Sequence, residues 1–430
     1  MIDQKRKDQP DLDAEYDVIV IGAGPAGSAV GALLAEQGRK TLIVDRAVFP
    51  RFHVGESLIP ETYWQLKRLG LIDQLKQSAF PKKFSVQFVT EEGTETMPFY
   101  FNKYKDHESS QTWQVVRAEF DQILVDNARN QGAVVHTGAQ VLDLICEGEQ
   151  VVGVKLKLNS EETRDIRCKL VVDSSGQTGF IANRLKLKVA DPVLKKGTVW
   201  AHFKNAHRDE GIDEGATLIL QTEGKRSWFW YIPLPDNTVS IGCTGDMAYM
   251  FSKERGTSEE IFNQEVERCV GIKKRLADAH PVTEFMTTKD FSYHSTQPAG
   301  PGWMLAGDAL GFIDPVYSSG VFLALKSGEL VADTINDAFD SQDFSVKRLS
   351  EWYTDYRNGV ENFRKLVYAF YAPGFSFGTF LRQYPQFKMN LVDILIGDVF
   401  KPEVSEMFTV MQEEIPELAM SDDPHVALKE

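Results

Sequence analysis

Hydrophobic positions along this chain change period several times, and each change predicts an element. Residues 16–21 (YDVIVI) form a short β-branched apolar run closed by glycine, the pattern of a parallel strand buried on both faces. A small-residue helix from Ser28 to Gln37 follows, with Gly38 as its C-cap, and residues 40–44 (KTLIV) form a second strand. Alternation from about Lys83 to Pro98 predicts antiparallel strands. Residues 118–131 carry Phe120, Ile123, Leu124 and Ala128 on one helical face, and 133–157 alternate again. Residues 170–173 (LVVD) and 303–306 (WMLA) are further buried strands, and 197–244 are dense in strand formers. Helical periodicity returns at 258–277, at Gly320 to Phe339, and through most of 348–430. The order predicts an α/β chain: a Rossmann-like doubly wound domain interrupted by an antiparallel sheet, then a helical C-terminal region.

At 430 residues and 43% hydrophobic, the chain can bury a large core and more than one subdomain. A net charge of −15 sets it against phosphate backbones, so nucleic acid is not an expected partner. Residues 1–15 are polar and carry no apolar stretch of the kind a signal peptide needs, and no apolar run approaches membrane-spanning length. Cys146, Cys168, Cys243 and Cys269 have no paired spacing. Reduced thiols in a cytoplasmic protein are expected, with neither a disulfide framework nor a bound metal.

Between the first strand and helix lies Gly22-Ala23-Gly24-Pro25-Ala26-Gly27. Gly22 permits the tight turn, Gly24 lets the backbone approach a pyrophosphate, and Gly27 allows helix and strand to pack closely. Ala26 lies in the turn whose N–H groups face the phosphates. Asp45, at the end of the second strand, is placed for ribose hydroxyls. Two further segments resemble flavoprotein hydroxylases rather than nicotinamide enzymes. Leu170-Val171-Val172-Asp173-Ser174-Ser175-Gly176 is similar to their second cofactor-domain strand. Gly302 to Ala309 resembles their Gly-Asp motif, which implies that Asp308 reaches FAD. Arg117-Ala118-Glu119-Phe120-Asp121 looks like their Arg-x-x-Phe-Asp element, which implies that Arg117 lies near the flavin; an ordinary surface helix cap is the alternative. There is no second GxGxxG for a nicotinamide domain. These readings divide the chain into an FAD-binding domain (14–80, 113–190, 285–340), a substrate-binding sheet (81–112, 191–284) and the C-terminal region (341–430).

Trp228-Phe229-Trp230-Tyr231-Ile232-Pro233 reads by itself as an aromatic-rich buried strand, with both tryptophans on one side. Within this frame it resembles the Trp-x-Trp-x-Ile-Pro signature of flavin-dependent halogenases, especially those of phenols and pyrroles. Phe52 to Leu58 matches their Gly-Glu-Ser segment, Gly311 to Val321 their Asp-Pro-Val-x-Ser-Ser-Gly-Val, and Phe80 to Phe88 their Phe-x-x-Lys-x-Gly-x-x-Phe, with Ser85 replacing the glycine. The resemblance covers most of residues 16–330 and less specifically reaches Phe370 to Gly378. It implies FADH2- and O2-dependent halogenation of an electron-rich aromatic through a flavin hydroperoxide and hypohalous acid. Trp228, Trp230, Ile232 and Pro233 would keep substrate from the flavin, and Lys83 would relay the halogen. Lys82, its neighbour on a strand, would face the other way. The halide, chloride or bromide, would bind at Ser319 and Gly320. Tyr317 stands where tryptophan halogenases carry a glutamate, so the general acid or base stays unassigned, with Glu56 and His53 as candidates. A separate NAD(P)H–flavin reductase would supply FADH2, and the aromatic substrate would be free or carrier-tethered; the acidic surface leans towards a free one. A flavin-dependent hydroxylase and a geranylgeranyl reductase-like flavoenzyme remain alternatives.

Overall fold

The computed structural model describes residues 9–158 and 162–422. The start of the polar N-terminal segment (1–8) and the last part of the expected helical region (423–430) lie outside the described residues.

The first sheet holds, in order, Ala299–Gly300, Trp303–Leu305, Thr163–Asp173, Glu15–Ile21, Thr41–Asp45 and Val134–Thr137. Its central strands run parallel, with Val18 beside Leu170 and Thr41. Val18, Ile19 and Val20 are fully buried, as a strand covered on both faces requires. The first helix is Pro25–Glu36, so it starts before Ser28; proline at its N-terminus needs no partner for a missing N–H. It packs on the long helix Gly320–Ser341.

The second sheet runs His280–Pro281, Lys196–Lys204, Thr238–Asp246, Ser227–Leu234, Thr217–Gln221, Ser85–Val89 and Phe99–Tyr100. The expected antiparallel pattern at 83–98 holds only in part: Ser85–Val89 pairs parallel with Thr217–Gln221, and antiparallel with Phe99–Tyr100. Alternation gives this sheet two apolar faces. Trp228, Trp230 and Ile232 pack towards the cofactor-type domain, whereas Phe229 and Tyr231 join Ile241, Cys243 and Phe262 in a separate core.

The helix expected over 258–277 is two helices, Ser258–Glu267 and Val270–Arg275, because Cys269 adopts an extended conformation between them. The helix Tyr353–Tyr371 leads the C-terminal region and returns to the sheet interface. Among the described residues no helix is long and apolar enough to cross a membrane. All four cysteines are free, with Cys146 exposed and the others buried.

Candidate active site

A cleft of about 480 Å³ opens between the two sheets. Its floor is the glycine turn. Gly22 sits at φ +102°, and a Cβ there would lie 2.3 Å from the Ser174 carbonyl oxygen; one on Gly27 would lie 1.9 Å from that of Gly22. Only hydrogen fits at either position. A Cβ on Gly24 would meet nothing closer than Arg51 Nη2 at 3.4 Å, so at Gly24 the space belongs to the cleft. The helix that follows has no side chain capping its N-terminus, and Ala26 lines the cleft. Asp45 is held in place by the N–H groups of Ala23 and Ala47, each donating to one carboxylate oxygen at 2.8 Å, and it also lines the cleft.

Asp308 projects into the same space and its carboxylate makes no hydrogen bond among the described residues. Burial pushes its carboxyl up to about 6, against the pull of Arg117 and Lys188. Arg117 is no surface cap. It is buried, donates from Nε and Nη2 to Asp121 at 2.9 and 3.0 Å, and from Nη1 to the Val54 carbonyl at 2.7 Å. Burial disfavours its charge, but Asp121 more than offsets this, so its pKa stands above the ordinary value. Uncapped helix N–H groups, a fixed acid at the second strand and an unbonded acid across the cleft fit the pyrophosphate and ribose of FAD.

At the other end of the cleft the wall is made by Ser57, Thr217, Trp200, Trp230 and Ile232. Behind Ser57 lies Lys83, fully buried in the two-residue strand Lys82–Lys83, which pairs with Thr112–Trp113; Lys82 is exposed. Lys83 Nζ donates to Ser57 Oγ at 2.8 Å and to the Leu58 carbonyl at 2.9 Å, and stands 5.7 Å from the Phe101 ring centre. Among the described residues no carboxylate faces it. Burial alone lowers its pKa to about 7. Ser57, not Lys83, meets the cleft directly. Ser57 Oγ also lies 2.9 Å from Thr217 Oγ1, which takes a hydrogen bond from Gln114.

Comparison with known proteins agrees with this arrangement. A family model described as an FAD binding domain matches residues 15–334. The chain is 30% identical to the 1H-pyrrole-2-carbonyl-(peptidyl-carrier protein) chlorinase of Pseudomonas fluorescens, across 96% of this chain and 95% of that one. It is also 30% identical to the corresponding brominase of Pseudoalteromonas luteoviolacea, across 94% and 97%. The chain belongs to the flavin-dependent halogenases. Among solved structures, a flavin-dependent brominase superposes with a TM-score of 0.84 at 27% identity over 95% of this chain and all of that one. The myxobacterial chondrochloren halogenase gives 0.77 at 30% identity over 95% and 97%. This halogenase is an FAD-dependent oxidoreductase.

Of the four Trp-x-Trp-x-Ile-Pro positions in this halogenase, Trp230 and Ile232 line the cleft. Strand alternation turns Pro233 to the opposite face. Trp228 points to the C-terminal helix: its Nε1 donates to Tyr371 Oη at 2.8 Å, and Tyr371 donates to Asp314 Oδ2 at 3.1 Å. The tryptophan strand, the Asp-Pro turn and the helix Tyr353–Tyr371 are thus tied together at one point. Burial lifts the Asp314 carboxyl to about 6. Gly320 lines the cleft at the start of its long helix, whereas Ser319 is buried just behind it; Tyr317 is buried too.

Sequence reasoning missed one cleft-wall residue of the halogenase, Trp200, and the His202 partner of another, Glu56, which it named only as a candidate acid or base. Among the described residues the buried Trp200 indole N–H has no partner, and Glu56 shares a hydrogen bond with His202 Nε2 at 2.7 Å while its buried Oε2 has none. Trp200 and His202 share a face of the strand Lys196–Lys204, a period-2 signal visible in the chain without its meaning. His53 lies at the cleft edge, its Nδ1 2.8 Å from the Val54 carbonyl.

Proposed function

We propose that this halogenase places chlorine or bromine on an electron-rich pyrrole presented as an acyl group on a carrier protein, using O2 and FADH2 delivered by a separate NAD(P)H–flavin reductase. The observation that carries the reading is Lys83: a fully buried amine with no counter-charge, one hydroxyl away from the cofactor cleft. The two relatives matched nearly end to end act, by name, on a carrier-bound pyrrole. The chain spans only 62% of a tryptophan 2-halogenase from Chondromyces crocatus. This favours the carrier-bound substrate over the free one that surface charge alone suggests.

Bound reduced FAD would supply the activation of O2 by which a halide becomes hypohalous acid. Gly24 and Ala26 would hold its pyrophosphate in the turn that Gly22 and Gly27 shape, Asp45 its ribose, and Asp308 and Arg117 its remaining polar edge. The halide sits against Ser319 and Gly320, where the N-terminus of a 22-residue helix supplies positive potential. Trp230 and Ile232 exclude water and the aromatic substrate from that end. Lys83, with a pKa near 7, would as the amine take the halogen from hypohalous acid, its N–H proton leaving with the hydroxide as water, and regain a proton when the ring takes the halogen; as the ammonium it would polarise hypohalous acid by a hydrogen bond. Glu56, fixed by His202, holds an acceptor oxygen free in the wall and is the residue best placed to keep a proton there.

The test is bromination of a pyrrolyl-loaded carrier, beside free pyrrole and phenol substrates, with a generic flavin reductase and NADH. Bromide incorporation into the carrier-bound pyrrole is expected. Efficient NAD(P)H oxidation by the chain alone, stimulated by an aromatic and without halide incorporation, would support a hydroxylase instead.

A further inference from the structure

A second cavity of about 370 Å³ lies apart from the cofactor cleft and shares only Phe312 with it. One side is the small sheet of Lys188–Ala190, Tyr293–Ser295 and Gly311–Phe312. The other is the helix Tyr353–Tyr371, which lays Tyr353, Arg357, Glu361, Arg364 and Tyr368 along the cavity at helical spacing.

The charges here are unevenly satisfied. Asp191 accepts the N–H groups of Val193 and Leu194 at 2.9 Å and the Tyr368 hydroxyl at 2.9–3.0 Å. Arg364, buried, donates to Glu361 Oε1 at 2.8 Å, and its Nε stands 3.5 Å from Asp191. Three groups are left over, one of them Arg364 Nε, which is buried and makes no hydrogen bond among the described residues. Glu361 Oε2 is buried with no hydrogen bond, and Arg357 makes no hydrogen bond or ion pair among the described residues. Four residues apart on a helix, Arg357 and Glu361 face the same way and could have paired with each other. Instead one cavity holds an open donor fork and an open acceptor, with the rings of Tyr353, Tyr356 and Phe312 in its walls.

We propose that this cavity binds a small planar aromatic acid, its carboxylate on the Arg357 fork and a ring N–H or O–H donor on Glu361 Oε2. A planar guanidinium takes a carboxylate with two parallel hydrogen bonds. A buried acceptor without a partner selects a ligand that brings a donor. The volume matches small-ligand sites, and the tyrosines supply the apolar middle. A bare halide satisfies only the arginine and would lie beside a carboxylate, so it fits less well. The site is independent of the halogenation reading: neither Lys83 nor the glycine turn contributes to it.

The experiment is calorimetric titration of the FAD-loaded protein with pyrrole-2-carboxylate, which carries both groups, and with benzoate, which lacks the donor. Binding of pyrrole-2-carboxylate is expected, at least tenfold weaker in Arg357→Gln and unchanged in Lys83→Ala; benzoate should bind more weakly to wild type. In parallel, the His294 imidazole resonances of the wild-type protein should shift on ligand addition, a readout that needs no variant. No binding to wild type, or binding undiminished in Arg357→Gln, would overturn the proposal; loss in Lys83→Ala alone would place the ligand in the cofactor cleft instead.

Discussion

Lys83 and Arg117 are both cations that folding removes from water, and the chain treats them in opposite ways. Arg117 is paired through two nitrogens with a fully buried carboxylate, Asp121, and by a third with the Val54 carbonyl. Its charge is fixed. Lys83 has one hydroxyl, one carbonyl and an aromatic ring 5.7 Å away, and no acid. Its charge is poised, with a pKa near 7. A buried cation meant for architecture is compensated; a buried amine left uncompensated is kept close to proton exchange, at a cost to stability that a purely structural residue would not need.

The two cations differ most in their response to pH. The folded pKa of Lys83, near 7, lies below the 10.5 of an unperturbed lysine, so between these values the unfolded chain binds more protons than the folded one. The resulting penalty is full below pH 7 and fades as pH rises towards 10.5. Replacing Lys83 by Met should therefore raise the melting temperature most below pH 7, with the advantage shrinking as pH rises. At about 1.4 kcal/mol per pH unit, the change across that window has an upper bound of several kcal/mol. Hydrogen bonds lost at Ser57 and Leu58 subtract equally at every pH, so the slope is the readout. A difference between variant and wild type that stays flat from pH 7 to 10 would mean Lys83 is not desolvated.

Asp121→Ala should do the converse damage. It leaves Arg117 buried without its carboxylate and should cost about 3–5 kcal/mol in urea denaturation. A loss under about 1 kcal/mol would mean the backbone carbonyls alone hold Arg117.

Glycines sharpen the cofactor end of the comparison. Gly24→Val should fold, because its Cβ approaches only the flexible tip of Arg51, yet crowd the bound pyrophosphate by about 1–3 kcal/mol, a loss of FAD affinity of about five- to 150-fold by fluorescence titration. Unchanged FAD affinity in the folded variant would remove Gly24 from the site. The smallest effect belongs to Lys82→Ala: exposed and on the opposite face of its strand, it should alter stability by under about 0.5 kcal/mol and leave halogenation intact.

The cofactor half was legible in the sequence because its signals are local. Strand, glycine turn, helix and Asp45 follow one another within about thirty residues, and the turn's constraints depend on atoms close by in sequence or, like Ser174, in an adjacent motif. The Lys83 end is non-local. Lys83 rests on Ser57, Ser57 on Thr217 and Thr217 on Gln114, four residues from four segments. A motif could flag Lys83 and the Gly-Glu-Ser segment, but not that the Ser57 hydroxyl of that segment stands between the lysine and the cleft. Trp228 went astray for a related reason. Alternation correctly put it on the side of Trp230, yet its partner Tyr371 comes from a helix more than a hundred residues later, and that contact draws it away from the cleft wall. The helix break at Cys269 and the parallel pairing of Ser85–Val89 likewise depend on neighbours that no local pattern records.

In the proposed mechanism the uncompensated amine of Lys83 carries the halogen. That role is tested most directly by measuring halogenated product and FADH2 oxidation together in wild type and Lys83→Ala, both loaded with FAD and supplied by a flavin reductase. Loss of one positioned group in a dry site is expected to lower halogenation by about 10²–10³ while flavin oxidation continues. Halogenation within a few-fold of wild type in folded, FAD-loaded Lys83→Ala would contradict the account.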